Sequence, residues 1–227
     1  KAIFYYRIVR LEDGCFCALS DFVHRRFYKQ IVYKCGCFIC LMIRAIDDTN
    51  VLRKFCTDFC SVVDKYARYI IVSGFVVIAS GRARGTEDID MITERMNKDT
   101  FHRMHTDLVT HGFVCMQSAD ATVIYEDYLQ NNLAVRYTFD DVPVPEMEVK
   151  FAKDKLDEFQ LIHRTKISLT GLDVWFSSVE MNIAFKEEYL KSEKDIEDAK
   201  YLRKIYPVDE RAVDEFKKMI QKVKYAR

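Results

Sequence analysis

The segment Ile70–Thr93, Ile-Ile-Val-Ser-Gly-Phe-Val-Val-Ile-Ala-Ser-Gly-Arg-Ala-Arg-Gly-Thr-Glu-Asp-Ile-Asp-Met-Ile-Thr, decides how this chain is read. It opens with a β-branched run, Ile70–Val72, that suits a buried strand. Ser73-Gly74 ends the run where a helix can begin, and a small-residue and arginine segment, Ala79–Thr86, follows. Glu87–Ile92 then reads as a second strand. Side chains alternate along a strand, so Asp88 and Asp90 project to one face, and Ile89 and Met91 to the other. Adjacent carboxylates raise each other's pKa unless a cation lies between them. Hard, oxygen-only donors of this kind favour Mg²⁺ or Mn²⁺.

Working outward, Asp47-Asp48-Thr49 is a helix start. Val51, Leu52, Phe55, Phe59, Val62, Val63 and Tyr66 recur at helical spacing to about Ala67, so this helix delivers the chain into the Ile70 strand. Cys56 and Cys60 lie on the flank of that stripe and read as core-edge thiols. After the carboxylate strand, Asn97 or Asp99 caps a helix running to about Thr110, and Gly112 stops it. His102, His105 and His111 in this stretch have no carboxylate at zinc-protease spacing and read as surface or rim residues. Phe113–Met116 is a short strand, and Ser118 caps a short helix over Ala119–Gln130.

Ala134–Phe139 and Glu146–Phe151 read as strands on either side of Asp140-Asp141-Val142-Pro143. On the second, Glu146, Glu148 and Lys150 share one face, and Met147, Val149 and Phe151 the other. Asp154–His163 is a helix, Lys166–Leu169 and Leu172–Phe176 a hairpin around Thr170-Gly171, and Ser177-Ser178-Val179-Glu180 a capping signal. In the helix that follows, Val179, Ile183, Lys186 and Leu190 share a stripe, which turns Lys186 inward. A buried ammonium needs an anion, either a triphosphate or a carboxylate. Ser192 caps the next helix, where Asp195, Asp198, Ala199 and Leu202 share one side, placing both aspartates beside the core. Pro207 ends it. A last amphipathic helix, Asp209–Lys224, exposes a basic face of Lys217, Lys218, Lys222 and Lys224.

Two of these strings, in this order, resemble the nucleotidyltransferase superfamily, similar in outline to DNA polymerase β. The superfamily pattern is a Gly-Ser or Gly-Gly turn after a strand, a helix, then Asp-x-Asp on the next strand. The likeness is nearest to the branch of the AbiEii-type toxins and their archaeal relatives. That branch carries Arg-x-x-Thr-x-Asp-Ile-Asp, then an inward Lys and a Ser-x-Lys-Asp-x-x-Asp-like string. Here the strings are Arg84-Gly85-Thr86-Glu87-Asp88-Ile89-Asp90, one residue shorter between Arg and Thr, and Lys186 with Ser192-Glu193-Lys194-Asp195-Ile196-Glu197-Asp198. Phe75 departs from the pattern, standing where the family places Gly or Ser after Gly74. The likeness covers about residues 48–206.

The resemblance implies an α+β nucleotidyltransferase fold, a small mixed β-sheet flanked by helices with a helical C-terminal part. Residues 47–152 would form the core, 153–227 would complete the cleft, and 1–46 would be an N-terminal extension. The implied reaction moves an NMP from an NTP, such as ATP, to an acceptor hydroxyl on RNA, tRNA or a protein. Asp88 and Asp90 would hold the metal, with Glu148 as the family's third carboxylate, metal ligand and base. Ser73 and Gly74 would approach the phosphates, with Thr86 beside them. Arg82, Arg84, Lys186 and Lys194 would neutralise the triphosphate, and Asp195 and Asp198 would orient Lys186 or the nucleotide. The branch also implies a toxin with an antitoxin partner. The alternative is a catalytically inactive nucleotide- or partner-binding module on the same fold, which Phe75 favours and the clustered carboxylates oppose.

Composition sets outer limits. The 227 residues are 49% apolar and 31% charged, a globular balance rather than a disordered one. The formal net charge is zero, which gives no support to wholesale electrostatic binding of nucleic acid. No apolar run nears the roughly 20 residues that span a bilayer. Arg7 and Arg10 break the N-terminal apolar stretch, so no signal-peptide layout is present and a cytoplasmic protein is expected. Met42 offers a natural start for a family-sized protein, which would make 1–41 an added segment. Five of eight cysteines precede residue 41. Cys15, Cys17, Cys35, Cys37 and Cys40 allow a zinc-dependent nucleic-acid binder as a third reading, against buried reduced thiols.

Overall fold

The computed structural model describes residues 6–10, 16–20 and 38–225, apart from 84, 86, 87 and 141, with side chains from Asn50 onward except those of 143 and 225. The chain divides into two compact units, residues 1–47 and 48–227. In the first, β1 (Tyr6–Arg10) pairs antiparallel with β2 (Phe16–Ser20). Residues 11–15 and the side chains of the five early cysteines lie outside the described residues.

The second unit is built on a five-stranded mixed sheet in the order β3-β4-β7-β6-β5. Its strands are β3 (Tyr69–Val72), β4 (Asp88–Thr93), β5 (Phe113–Cys115), β6 (Val135–Phe139) and β7 (Val142–Phe151). β4 and β7 run parallel, and the other pairs are antiparallel. One face carries Ile89, Met91, Met147, Val149 and Phe151, all buried against helix α1 (Phe38–Val63) and helix α3 (Lys98–Thr110). Phe55 and Phe59 of α1 meet Phe113 edge-on, with ring centroids 5.5 and 5.0 Å away. Such edge-to-face packing adds to the burial of large apolar area. α1 begins earlier than the expected start at Asp47, because nothing between Phe38 and Asp47 breaks a helix.

Between β3 and β4 lies the short helix α2 (Gly74–Ala79), all six of its residues buried. Asn97, as expected, caps α3 by accepting from the Thr100 N–H. His105 corrects the sequence reading. It is buried, with Nδ1 2.9 Å from the Tyr137 hydroxyl, because it shares the inner stripe of α3 with Phe101, Met104 and Leu108. The expected helix over Ala119–Gln130 is capped by Asp120 rather than Ser118. It comprises α4 (Ala121–Val123), a π turn Ile124–Tyr128 and a 3₁₀ turn Leu129–Asn131.

On the other sheet face α5 (Lys155–Ile162) packs against β3 and β4, and α6 (Val179–Phe185), α7 (Glu193–Ile205) and α8 (Glu210–Tyr225) form a helical layer with it and α2. Asp154, Ser178 and Ser192 cap α5, α6 and α7 through their side chains. The expected hairpin over 166–176 is instead a 3₁₀ turn, Ser168–Thr170, closed by Gly171 at φ 65°, with a single antiparallel bridge Thr165–Phe176. The other edge of this segment pairs with β3, where the Ile71 N–H donates to the Trp175 carbonyl and the Ser177 N–H to the Ile71 carbonyl. Val77 of α2 packs with Met181, Ile183, Leu202 and Ile220, tying α2 to the helical layer. Among the described residues no helix is long and apolar enough to cross a membrane.

Candidate active site

The parallel pairing of β4 and β7 sets the site. It places Asp88 beside Glu146 and Asp90 beside Glu148 on one sheet face, while β3 brings Val72 opposite Asp90. Asp88 is exposed, and Asp90, Glu146 and Glu148 are half-buried. Burial pushes the Asp90 carboxyl above its ordinary range. Lys150 and a hydrogen bond from the Ser73 hydroxyl partly offset this, while Glu148 and Asp88 add to it.

The β3–α2 turn presents Ser73 at φ 65°, ψ −130°, a region that only glycine enters without strain. Gly74 is therefore the first residue of α2, and Phe75 the second. The Phe75 ring is fully buried in the core against the α1 side. It does not fill the space in front of the carboxylates, which answers the departure noted at that position.

Arg136, opposite Glu148 on β6, was not picked out from the sequence. Its guanidinium lies 3.0 Å from Glu148 Oε2 and 3.4 Å from Glu146 Oε2. Strand alternation alone could not have found it, because the pairing depends on the β6–β7 register. The donors on this face are all carboxylate oxygens, and burial with like charge raises Asp90, so the set fits a hard divalent cation such as Mg²⁺ or Mn²⁺ by its chemistry. As placed, Arg136 supplies the positive charge, and no three His, Cys, Asp or Glu side chains among the described residues converge as metal ligands.

A pocket of about 270 Å³ opens beside Asp90. Ser73, Asp90 and Lys150 line its sheet side, and Lys153, Asp157 and Gln160 the α5 side. Asn182, Phe185, Lys186, Tyr189 and Lys224 close the helical side. Phe185 and Tyr189 stack at 4.7 Å, and the Lys224 ammonium lies 5.5 Å from the Tyr189 ring centroid. Lys224 borders the pocket while remaining exposed with Lys218 and Lys222, as the basic face expected on this helix, and Lys217 instead pairs with Glu187 at 2.7 Å.

Lys186 is 1% exposed, and its Nζ lies 2.9 Å from Asp198 Oδ2 and 3.3 Å from Asp195 Oδ1. It begins a π turn, Lys186–Leu190, that continues α6 and ends at Lys191 with φ 59°. Asp198 also accepts from Arg82, and the Ser192 hydroxyl donates to Asp195. The anion that Lys186 needs is thus supplied by α7.

Helix α7 and the residues just after it hold the segment that precedes β4. The Lys194 ammonium is 3.5 Å from the Gly85 carbonyl, Tyr201 donates to the Ser80 carbonyl at 3.3 Å, and Tyr206 shares a hydrogen bond with the Ser80 hydroxyl at 2.7 Å. The sequence-predicted residues therefore separate into groups. Ser73, Asp90 and Lys186 line one pocket, and Asp88 and Glu148 lie on the same sheet face outside its walls. Asp195 and Asp198 hold Lys186, while Arg82 meets Asp198 of α7, and Lys194, itself on α7, reaches the Gly85 carbonyl. Gly74 is buried at the start of α2, and Arg84 and Thr86 lie outside the described residues.

No protein-family model matches this chain, and no curated protein matches it at a significant level. Among solved structures, it is similar to the antibiotic-resistance factor ANT(2'')-Ia, known from a solution structure and a member of the nucleotidyltransferase superfamily. The match has a TM-score of 0.50 at 14% identity and covers 78% of this chain and 95% of that one. At that identity the likeness is one of fold: the chain has a nucleotidyltransferase-like fold, a mixed five-stranded sheet flanked by helices with a helical C-terminal part.

Proposed function

We propose that this protein transfers a nucleoside monophosphate from an NTP to an acceptor hydroxyl. The observation that carries the reading is the β4–β7 register, which lines up Asp88, Asp90, Glu146 and Glu148 on one sheet face, with Asp90 lining a pocket walled by lysines and two stacked aromatic rings. Carboxylates on two adjacent strands are costly without a cation, and a pocket of that lining suits a nucleotide: rings for a base, ammonium groups for phosphates.

In this reading Asp88, Asp90 and Glu148 hold Mg²⁺ or Mn²⁺, which when bound neutralises charge on the reacting phosphates. The acceptor oxygen attacks the α-phosphorus, the bond to the β-phosphate breaks, and pyrophosphate leaves. The acceptor's proton passes to the Glu148 carboxylate. Ser73 and Gly74 approach the phosphates, and Lys186, with Arg82, Arg84, Thr86 and Lys194 around the preceding loop, supports the developing negative charge. Asp195 and Asp198 keep Lys186 extended toward the pocket.

The acceptor follows from the resemblance to AbiEii-type toxins: a hydroxyl of RNA, in particular tRNA, or of a protein, with an antitoxin restraining the activity. The antibiotic-resistance role of the similar structure adds a small-molecule hydroxyl to the acceptors worth testing. The second reading, an inactive binding module, rested on Phe75 closing the site. With that ring in the core, the module reading loses its main support. Transfer of label from α-phosphorus-labelled NTPs to RNA, to protein and to small alcohols tests the proposal, with loss of transfer expected in Asp88→Asn/Asp90→Asn.

A further inference from the structure

Three polar side chains that the proposed reaction does not use sit in the same pocket. Asp157 and Gln160 are each 6% exposed and Asn182 is 4% exposed, yet all three line the cavity. Asp157 Oδ2 accepts from the Lys153 backbone N–H at 3.1 Å. Gln160 Oε1 accepts from the Ser177 hydroxyl at 2.8 Å, which leaves its amide N–H groups to donate, and the Asn182 amide donates to the Ser177 and Ser178 carbonyls. No salt bridge to Asp157 is found among the described residues. Burial pushes its carboxyl above the ordinary range, with the Lys153 N–H offsetting part of the effect. The Lys150 and Lys153 charges in the same pocket also favour the carboxylate without forming an ion pair with it, so a buried carboxylate still gains from donors brought by a ligand.

The stacked Phe185–Tyr189 pair lines the same pocket. A cavity that holds an aromatic surface together with a buried acceptor and a buried amide suits a nucleobase read on its edge. The four bases differ at that edge. Adenine and cytosine each carry an exocyclic amino group, and guanine carries an amino group beside a ring N–H. Uracil offers one ring N–H flanked by two carbonyl oxygens, so a carboxylate that reaches the N–H meets an oxygen of like partial charge on either side. Resting on the nucleotide reading of this pocket, we infer that Asp157 is a specificity residue that accepts from the amino group of the NTP's base and disfavours UTP.

The test is equilibrium binding of ATP, CTP, GTP and UTP to the full chain, each with and without Mg²⁺, for the parent protein and for Asp157→Asn. The account predicts that UTP binds the parent at least about tenfold more weakly than its best nucleotide, the scale of one hydrogen bond to a charged group. Asn keeps an acceptor for the Lys153 N–H and gains a donor that a uracil carbonyl can use. UTP should therefore close most of the gap in Asp157→Asn, with the far-ultraviolet spectrum and unfolding midpoint reporting that the variant is folded. Equal binding of all four nucleotides by the parent overturns the inference without needing the variant, and so does an unchanged ranking in the folded variant. Failure of every nucleotide to bind the parent overturns the inference together with the pocket reading on which it rests.

Discussion

Replacing Lys186 by Met keeps an unbranched apolar stem and removes the ammonium that donates to Asp195 and Asp198. The structure makes this a costly change for the fold itself. Lys186 and Asp198 are 1% and 0% exposed, and Asp195, the second carboxylate on the ammonium, is also mostly out of water. Breaking a buried pair from one side leaves the other charge unpaired and costs about 3–5 kcal/mol. Arg82 still contacts Asp198 in the variant, which puts the expected loss near the lower end, about 3 kcal/mol. For a chain of this size each kcal/mol moves the unfolding midpoint by roughly 2–4 °C, so Lys186→Met should unfold some 6–12 °C below the parent. Removing Asp198 as well takes out the most deeply buried unpaired charge, leaving Asp195 and Arg82, which both retain some exposure, so Lys186→Met/Asp198→Leu should recover part of the loss. Urea and thermal unfolding followed by circular dichroism give these values. A Lys186→Met variant within about 0.5 kcal/mol of the parent, or a double variant as unstable as the sum of the singles, would refute the claim that α7 supplies the counter-charge.

The remaining predictions concern neighbouring features. Phe75→Ala should cost about 3–5 kcal/mol in urea unfolding and leave nucleotide affinity of the folded protein unchanged; a small stability cost with tighter nucleotide binding would place the ring in the pocket instead. Ser73→Gly and Ser73→Ala both lose the hydroxyl that bonds Asp90, but only glycine relieves the positive φ, so the glycine variant should be the more stable by about 1–2 kcal/mol. Equal stability would remove the argument for strain at this turn. Burial acts to raise the Asp195 carboxyl, but the Ser192 hydroxyl and Lys186 more than offset it, and its folded pKa lies below the ordinary 3.8. A carboxyl depressed on folding stabilises above its unfolded pKa and loses that contribution as pH falls through the folded one. The stability gap between the parent and Asp195→Asn should therefore hold near neutral pH and narrow below pH 3.8; a gap that widens there would contradict the ion-pair assignment.

Much of the frame was legible because it depends on local periodicity. Alternation in Asp88–Thr93 separates carboxylates from core, and the structure gives Ile89 and Met91 no exposure while Asp88 is exposed. The stripe through Val179, Ile183 and Lys186 predicted an inward lysine, and the caps at Asn97 and Ser192 were visible in their residue types. What escaped depends on placing distant segments against each other. Arg136 meets Glu148 only because β6 and β7 pair in one particular register. Lys224 reaches Tyr189 only because α8 lies across the π turn after α6. His105 was misjudged by residue type, although its spacing from Phe101 and Leu108 already put it on the buried stripe. The 166–176 segment looked like a hairpin because its apolar residues flank a Thr-Gly turn, but Ser168–Thr170 coils into a 3₁₀ turn and only Thr165–Phe176 pair.

The central claim is nucleotidyl transfer at the Asp88–Asp90–Glu148 face, and its most direct measurement is label transfer. The parent protein and Asp88→Asn/Asp90→Asn would each be incubated with Mg²⁺ and α-phosphorus-labelled NTPs in the presence of RNA, protein and small-alcohol acceptors. The account predicts a labelled acceptor and released pyrophosphate with the parent, and neither with the double variant. Equal labelling by both proteins, or Mg²⁺-dependent nucleotide binding by the parent with no transfer to any acceptor, would contradict it.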